Sequence, residues 1–268
     1  MNCAIVIPVY KDCPNDNEIK SFKQLLKILS HYPILLVTHK ELDLSVYLSM
    51  GLNNNVEVGT EFFNKEFFIN ISSYNKLCMD VSFYCRFQKY NFILLYQLDC
   101  YVFKDELEYW CSKSYDYIGA PWFSNHESYE EGACLMSVGN GGFSLRKIDT
   151  FVKVLSSKGN AYTFIKSYKL NKLIGGNLFV FLRMILRGYK NNISWLIKEW
   201  DDAEDIFFCQ VLDSTRFRLN KPDAELAINF SFEKSPSYLF LKNHNKLPFG
   251  CHAWEKYQFD SFWFKYIN

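Results

Sequence analysis

The chain has 268 residues, 49% of them hydrophobic, enough to bury one elaborated core and short for two full domains. Thirty basic and 29 acidic residues leave a net charge of +1, so no global field recruits nucleic acid, and any attraction to an anionic surface must be local. Nine cysteines, odd in number and never spaced C-x-x-C, argue against a disulfide framework and a zinc knuckle and fit a reducing cytoplasm.

No basic stretch precedes the first apolar run, so no signal peptide is expected. The most apolar stretch, 178–186, is interrupted by Arg183 and is too short to span a hydrocarbon layer of about 30 Å. The expected location is cytoplasmic, soluble or peripheral at the inner membrane face.

Residues 3–9 (CAIVIPV) form a β-branched run ended by a polar loop, the pattern of a buried parallel strand. Ile19, Phe22, Leu25, Leu26 and Leu29 fall at helical spacing over 18–29, and 34–38 is apolar again, completing a βαβ unit. A third strand is expected at 56–60, a helix at 72–87 and a fourth strand at 92–98. Alternating strands and helices imply a mostly parallel sheet flanked by helices, with ligands beyond the carboxyl ends of the strands. After Asp99 the alternation weakens. Short strands are expected at 115–121, 133–145 and 217–219, helices at 147–156 and 203–212, and a loop-like aromatic C-terminus from 248.

Four features could carry chemistry. Asp99 closes the strand 92–98, where a carboxylate can hold a divalent ion against a diphosphate, though a strand-end Asp also makes ordinary turns. The cluster Gly139, Gly141 and Gly142 lets backbone approach a ligand, yet it has neither the G-x-G-x-x-G spacing nor the G-K-[ST] ending. Asp201, Asp202, Glu204 and Asp205 exceed what capping the following helix requires, and a surplus carboxylate can act as a general base. His252, among small and aromatic residues, can serve as a metal ligand or simply pack.

In this order the motifs SYNKL (73–77), FILLYQLD (92–99), YDYIGAPW (115–122), GNGGFSLR (139–146), EDIFF (204–208) and PFGCHAWEK (248–256) form a pattern. The chain resembles GT-A-fold glycosyltransferases, and most closely a bacterial, fungal and plant family of transferase-like proteins long catalogued as a domain of unknown function. The resemblance implies one GT-A-like domain over 1–268, with a nucleotide-sugar-binding half (1–100) and an acceptor-binding, catalytic half (101–268). It implies donor contacts, to a UDP-sugar first, from Val9, Tyr10, Tyr74, Asn75, Gln97 and Asp99, and acceptor contacts from Trp122, Gly141 and Gly142. Asp205 would be the catalytic base of an inverting displacement, with Glu204 second. Asp99 and His252 would hold Mn²⁺ or Mg²⁺. The sequence departs from the D-x-D metal motif, because Asp99-Cys100-Tyr101 offers one carboxylate, so the metal requirement stays open.

The implied reaction is sugar transfer to a saccharide or lipid-linked saccharide, as in bacterial O-antigen or capsule assembly. Two other readings remain: a non-catalytic carbohydrate-binding protein of the same fold, and a nucleotidyltransferase. The single carboxylate and the lack of a Gly-rich basic loop after the first strand count against the latter. Finally, residues 151–198 carry nine basic residues and no acidic one, around the run LFVFLRMIL. This segment is expected to be a helical insertion at about 151–200 that either packs on the domain with solvated lysines or docks on an anionic membrane surface.

Overall fold

The computed structural model describes residues 2–124, 129, 133–173 and 175–267. Its centre is a six-stranded sheet in the order β3 (Val58–Phe62), β2 (Ile34–Thr38), β1 (Cys3–Pro8), β4 (Phe92–Tyr96), β9 (Phe143–Lys147), β6 (Tyr117–Ile118). β1, β2, β3 and β4 run parallel, with Ile5 paired to Ile34 on one side and to Leu94 on the other. All six residues of β1 are buried, which is why its sequence is continuously apolar rather than alternating. The expected α/β architecture, a mostly parallel sheet flanked by helices, is the one formed.

Side chains alternate between the two faces. Ile5 and Ile7 pack with Phe22, Leu25 and Leu26 of α1 (Asp16–Ile28), while Ala4 and Val6 pack with Leu77, Phe83 and Tyr84. α1 starts two residues before its expected position because Asn15 caps it in a reciprocal box with Glu18. A further helix, α2 (Ser45–Asn53), bridges β2 and β3. The single helix expected over 72–87 is two, α3 (Ile71–Cys78) and α4 (Val81–Arg86). The Asp80 carboxylate accepts from the backbone N–H of Ser82 and starts the second.

Beyond β4 come β5 (Tyr101–Val102), α5 (Leu107–Ser112), β6 (Tyr117–Ile118) and β7 (Pro121–Phe123). The expected strand over 133–145 divides at the glycine cluster. β8 (Leu135–Val138) pairs with β7 in a separate ribbon, and β9 (Phe143–Lys147) enters the main sheet antiparallel to β4 and β6. The helical insertion follows as α6 (Ile148–Leu155), α7 (Phe164–Leu173), α8 (Leu178–Arg187) and α9 (Ile193–Lys198). No strand forms at 217–219; the chain there runs to Asn220, which exchanges backbone and side-chain bonds with Asp116.

The helix expected at 203–212 is α10 (Glu204–Ile206), then a π turn over Phe207–Val211 and a 3-10 turn over Leu212–Ser214. α11 (Ala224–Ala227), β10 (Ser231–Phe232), α12 (Pro236–Lys242) and β11 (Gly250–Cys251) complete the chain, with β11 paired to β5 and β10. Trp254 and Trp263 lie buried with Phe232 and Leu239, so the aromatic C-terminus is core. All nine cysteines are free. Because β2 and β4 flank β1 on opposite sides, the strand order reverses there, and a crevice opens at the carboxyl ends of β1 and β4.

Candidate active site

A cavity of about 460 Å³ occupies that crevice, lined by Tyr10 beyond β1, by Phe68, Ile69 and Ile71, by Tyr74 of α3, and by Gln97 and Asp99 beyond β4. Tyr10, Ile69 and Ile71 are exposed apolar groups, so the rim offers flat, dewettable surface while Asp99 supplies charge at the strand end. Of the six expected donor contacts, Tyr10, Tyr74, Gln97 and Asp99 line the cavity. Val9 does not: its side chain is buried in the core and its backbone N–H donates to Val37, 2.9 Å away. Asn75, one residue on from Tyr74, is absent from the lining as well.

His252 follows β11 and reaches the same strand end. Its Nε2 lies 3.2 Å from Oδ1 of Asp99 and 3.2 Å from Oε1 of Gln97, while Nδ1 faces Oε1 of Glu233 at 3.2 Å. Burial works to lower the imidazole pKa, but the charges of Asp99 and Glu233 outweigh it and hold it at about 10. Burial likewise pushes the Asp99 carboxyl up, and the opposing pull of His252 leaves it below the ordinary value. The donor set fits a divalent ion. Two ligands each about 2.1 Å from one ion at right angles sit about 3 Å apart, close to the separation of Asp99 Oδ1 and His252 Nε2. Glu233 behind Nδ1 supplies the carboxylate that usually orients a metal-bound imidazole. Cys100 is near, but its thiol faces Gly142 O at 3.1 Å and burial raises its pKa, so it is no ready ligand.

The turn between β8 and β9 is held from below by Asp205. Its Oδ2 accepts from the backbone N–H groups of Asn140 (2.9 Å) and Gly141 (3.1 Å), and Oδ1 accepts from Ile206. Burial first, then the charges of Glu204 and Glu233, raise the Asp205 pKa to about 7. The side chain nonetheless keeps some exposure. Glu204 behaves differently: it is buried, and Oε1 pairs at 2.7 Å with Nη2 of Arg146, itself fully buried. Arg146 also donates to Tyr84 and Ser144 and lies over the Tyr117 ring. The expected second catalytic carboxylate is therefore buried as the partner of a core guanidinium.

Gly141 and Gly142 are required by close approach. A Cβ at Gly141 would strike Oε1 of Glu204. One at Gly142 would strike Nε2 of His252 and come within 2.7 Å of Oε1 of Gln97. Their side-chain directions are thus filled by protein groups rather than left open to an acceptor. Trp122 lies half-buried against Gly139 at the start of the turn. Asn140, Arg146 and Glu233 were not singled out from sequence. The positive φ of 72° at Asn140, within a glycine cluster, is the one such feature with a sequence signal, since Asn tolerates the left-handed region.

A family model described as a protein of unknown function (DUF5672) matches residues 57–252. The chain belongs to this family. No curated protein sequence matches it. Similar solved structures include an active-site mutant of LgtC (13% identity, covering 93% of this chain and 86% of that one, TM-score 0.48). They also include the glycosyltransferase GlyE of Streptococcus pneumoniae in its apo form (13%, 94% and 54%, TM-score 0.44). A third is core-mannan synthase A of Aspergillus fumigatus in a Mn/GDP form (12%, 56% and 60%, TM-score 0.38). The chain thus spans 60% of the Aspergillus protein and 54% of GlyE. The DUF5672 match takes in Asp99, Asn140, Arg146, Asp205, Glu233 and His252, and leaves out β1 and Tyr10.

Proposed function

We propose that this DUF5672 protein is a glycosyltransferase that moves a sugar from a nucleotide-sugar donor, a UDP-sugar first, to a hydroxyl of a saccharide or lipid-linked saccharide. The observation that supports it is one residue, Asn140, whose side-chain amide lies against His252 at the charged strand end and whose backbone N–H donates to Asp205, a partly open carboxylate of raised pKa. In this reading the leaving-group site and the base belong to one connected polar cluster, of which Gln97 and Asp99 line the cavity. Tyr10, Ile69 and Ile71 take the flat nucleoside, and Asp99 with His252 faces its diphosphate. Asp99 and His252 would hold the divalent ion, Mn²⁺ or Mg²⁺, which supplies positive charge against the departing diphosphate. Trp122 and backbone groups of the turn at Gly141 and Gly142 would border the acceptor, although the side-chain directions of the two glycines are occupied.

The step is a single displacement. The acceptor hydroxyl proton passes to Oδ1 of Asp205, its oxygen bonds to the anomeric carbon, and the bond to the nucleoside diphosphate breaks with inversion. Incubation with a panel of nucleotide sugars and saccharide acceptors, following nucleoside diphosphate release, tests the reaction. Release with at least one donor is expected, and sugar binding without release from any donor would make this a binding protein. The anomeric configuration of the product, read by proton NMR, tests the base: a retained configuration would remove that role from Asp205.

A further inference from the structure

α7 is inside out. Its buried face is polar, with Ser167 0% and Asn171 5% exposed, while Ile165 is 68% and Leu173 83% exposed and Phe164 stands out beside them. The inward side-chain nitrogens are bonded, while Asn171 Oδ1 is buried without a partner among the described residues. Asn191 Nδ2 donates to Ser167 Oγ at 2.9 Å, and Asn171 Nδ2 donates to the carbonyls of Gly176 and Asn177. α8 is apolar on both sides: Phe181 and Met184 are buried, while Leu178, Phe179, Leu182 and Leu186 are exposed, the last at 77%. At about 100° per residue those four positions fall within an arc of about 100°, so they form one outward stripe. Neighbouring α7 and α8 therefore both expose large apolar side chains, interleaved on α7 with Lys169 and Lys172, where a water-facing helix pair would present mostly polar ones.

The same surface is cationic. Lys169 and Lys172 of α7 and Arg183 and Arg187 of α8 are exposed, and the segment 151–198 contains no acidic residue. Next to the stripe, Arg183, Arg187, Lys190 and Lys198 line an open pocket together with Tyr189, Trp195 and a single carboxylate, Glu199, so the lining is net cationic. Arg183 lies 4.4 Å from the Tyr189 ring centroid, which holds one guanidinium in place at the pocket mouth.

We infer that the α7–α8 face is a docking surface for an anionic lipid bilayer. The stripe enters the interfacial region, and the pocket beside it receives lipid phosphates. Charge complementarity selects this occupant over a second copy of the chain. A two-fold contact would lay the cationic surface against itself, which is repulsive, whereas an anionic leaflet attracts every one of these Lys and Arg groups. Apolar residues interleaved with Lys and Arg also suit an interface, since the long stems lie along hydrocarbon while the charges remain with the headgroups. This inference is independent of sugar transfer, because vesicle binding can succeed or fail whatever the chemistry at Asp99.

The experiment is co-sedimentation of the full chain with phosphatidylcholine vesicles with and without phosphatidylglycerol, at low and high salt. Binding should require phosphatidylglycerol and weaken with salt. Changing Arg183, Arg187 and Lys190 together to Gln should weaken it on the order of a hundredfold. Phe179→Ser with Leu186→Ser should weaken it at least about tenfold. Circular dichroism of each variant confirms that it is folded, and sedimentation velocity of the wild type reports self-association. Failure of the wild type to bind phosphatidylglycerol vesicles at low salt would overturn the inference. So would a self-association that the two Ser substitutions abolish while vesicle binding is unchanged.

Discussion

The side-chain nitrogen of Asn140 lies 3.0 Å from Nδ1 of His252, and this contact ties the imidazole at the strand ends to the turn that Asp205 holds. The orientation of the amide is fixed, because its Oδ1 accepts from the backbone N–H groups of Gly142 at 2.9 Å and Phe143 at 3.1 Å. Asn140→Ala would leave both buried N–H groups unpaired and place Ala in the left-handed region. A loss on the order of 3 kcal/mol follows, read by chemical denaturation. Asn140→Gly adopts φ = 72° freely, so it should recover the strain while leaving kcat depressed. Full recovery of kcat by Gly would show that the side chain does not align His252.

Glu204→Gln should act on stability before it acts on chemistry. The change leaves the Arg146 guanidinium fully buried without its carboxylate, 2.7 Å away in the native protein. Breaking one partner of a buried pair costs roughly 3–5 kcal/mol, so the denaturation midpoint should fall sharply. A folded Glu204→Gln protein of native stability with no activity would return this residue to a catalytic role.

The sheet was legible because β1, β2 and β4 are buried on both faces and show as unbroken apolar runs flanked by turns. The run 133–145 was read as one strand because periodicity alone does not say that two strands separated by a glycine turn join different sheets. Arg146 and Glu204 pair across 58 residues of sequence, and neither differs in pattern from a solvated charge until the fold buries both. The same holds for Glu233 behind His252. α7 was legible as part of a cationic helical insertion, but the face it buries was not. That it turns Ser167 and Asn171 inward depends on Asn191, which waits inside to bond the first of them.

Metal binding gives a readout that does not depend on turnover. Titration calorimetry with Mn²⁺ should detect a site that Asp99→Asn and His252→Gln abolish. Glu233→Gln, which removes only the group orienting Nδ1, should weaken the site by about 10–100-fold. Gly142→Ala should abolish it too, since the added Cβ displaces the imidazole. Chelator should remove transferase activity and Mn²⁺ restore it. Full activity in EDTA together with no calorimetric signal would show that His252 works as an imidazolium.

The pH dependence of Asp205 separates a base from a turn-holding carboxylate. Its pKa of about 7 stands above the ordinary 3.8 through burial, then through Glu204 and Glu233. A base must be unprotonated, so kcat/KM should rise with pH and level off above about pH 7. Asp205→Asn should flatten that limb and lower kcat by about 10²–10⁴-fold. The stability sign runs the other way. A carboxyl whose folded pKa is raised favours the folded state fully below its unfolded pKa, and that contribution is lost as pH rises through the folded pKa. The difference in unfolding free energy between wild type and Asp205→Asn should therefore shift against the wild type between about pH 4 and pH 7. A kcat/KM limb with its midpoint near pH 4, or one unchanged in Asp205→Asn, would leave Asp205 as a support for the Asn140 turn and assign the base elsewhere.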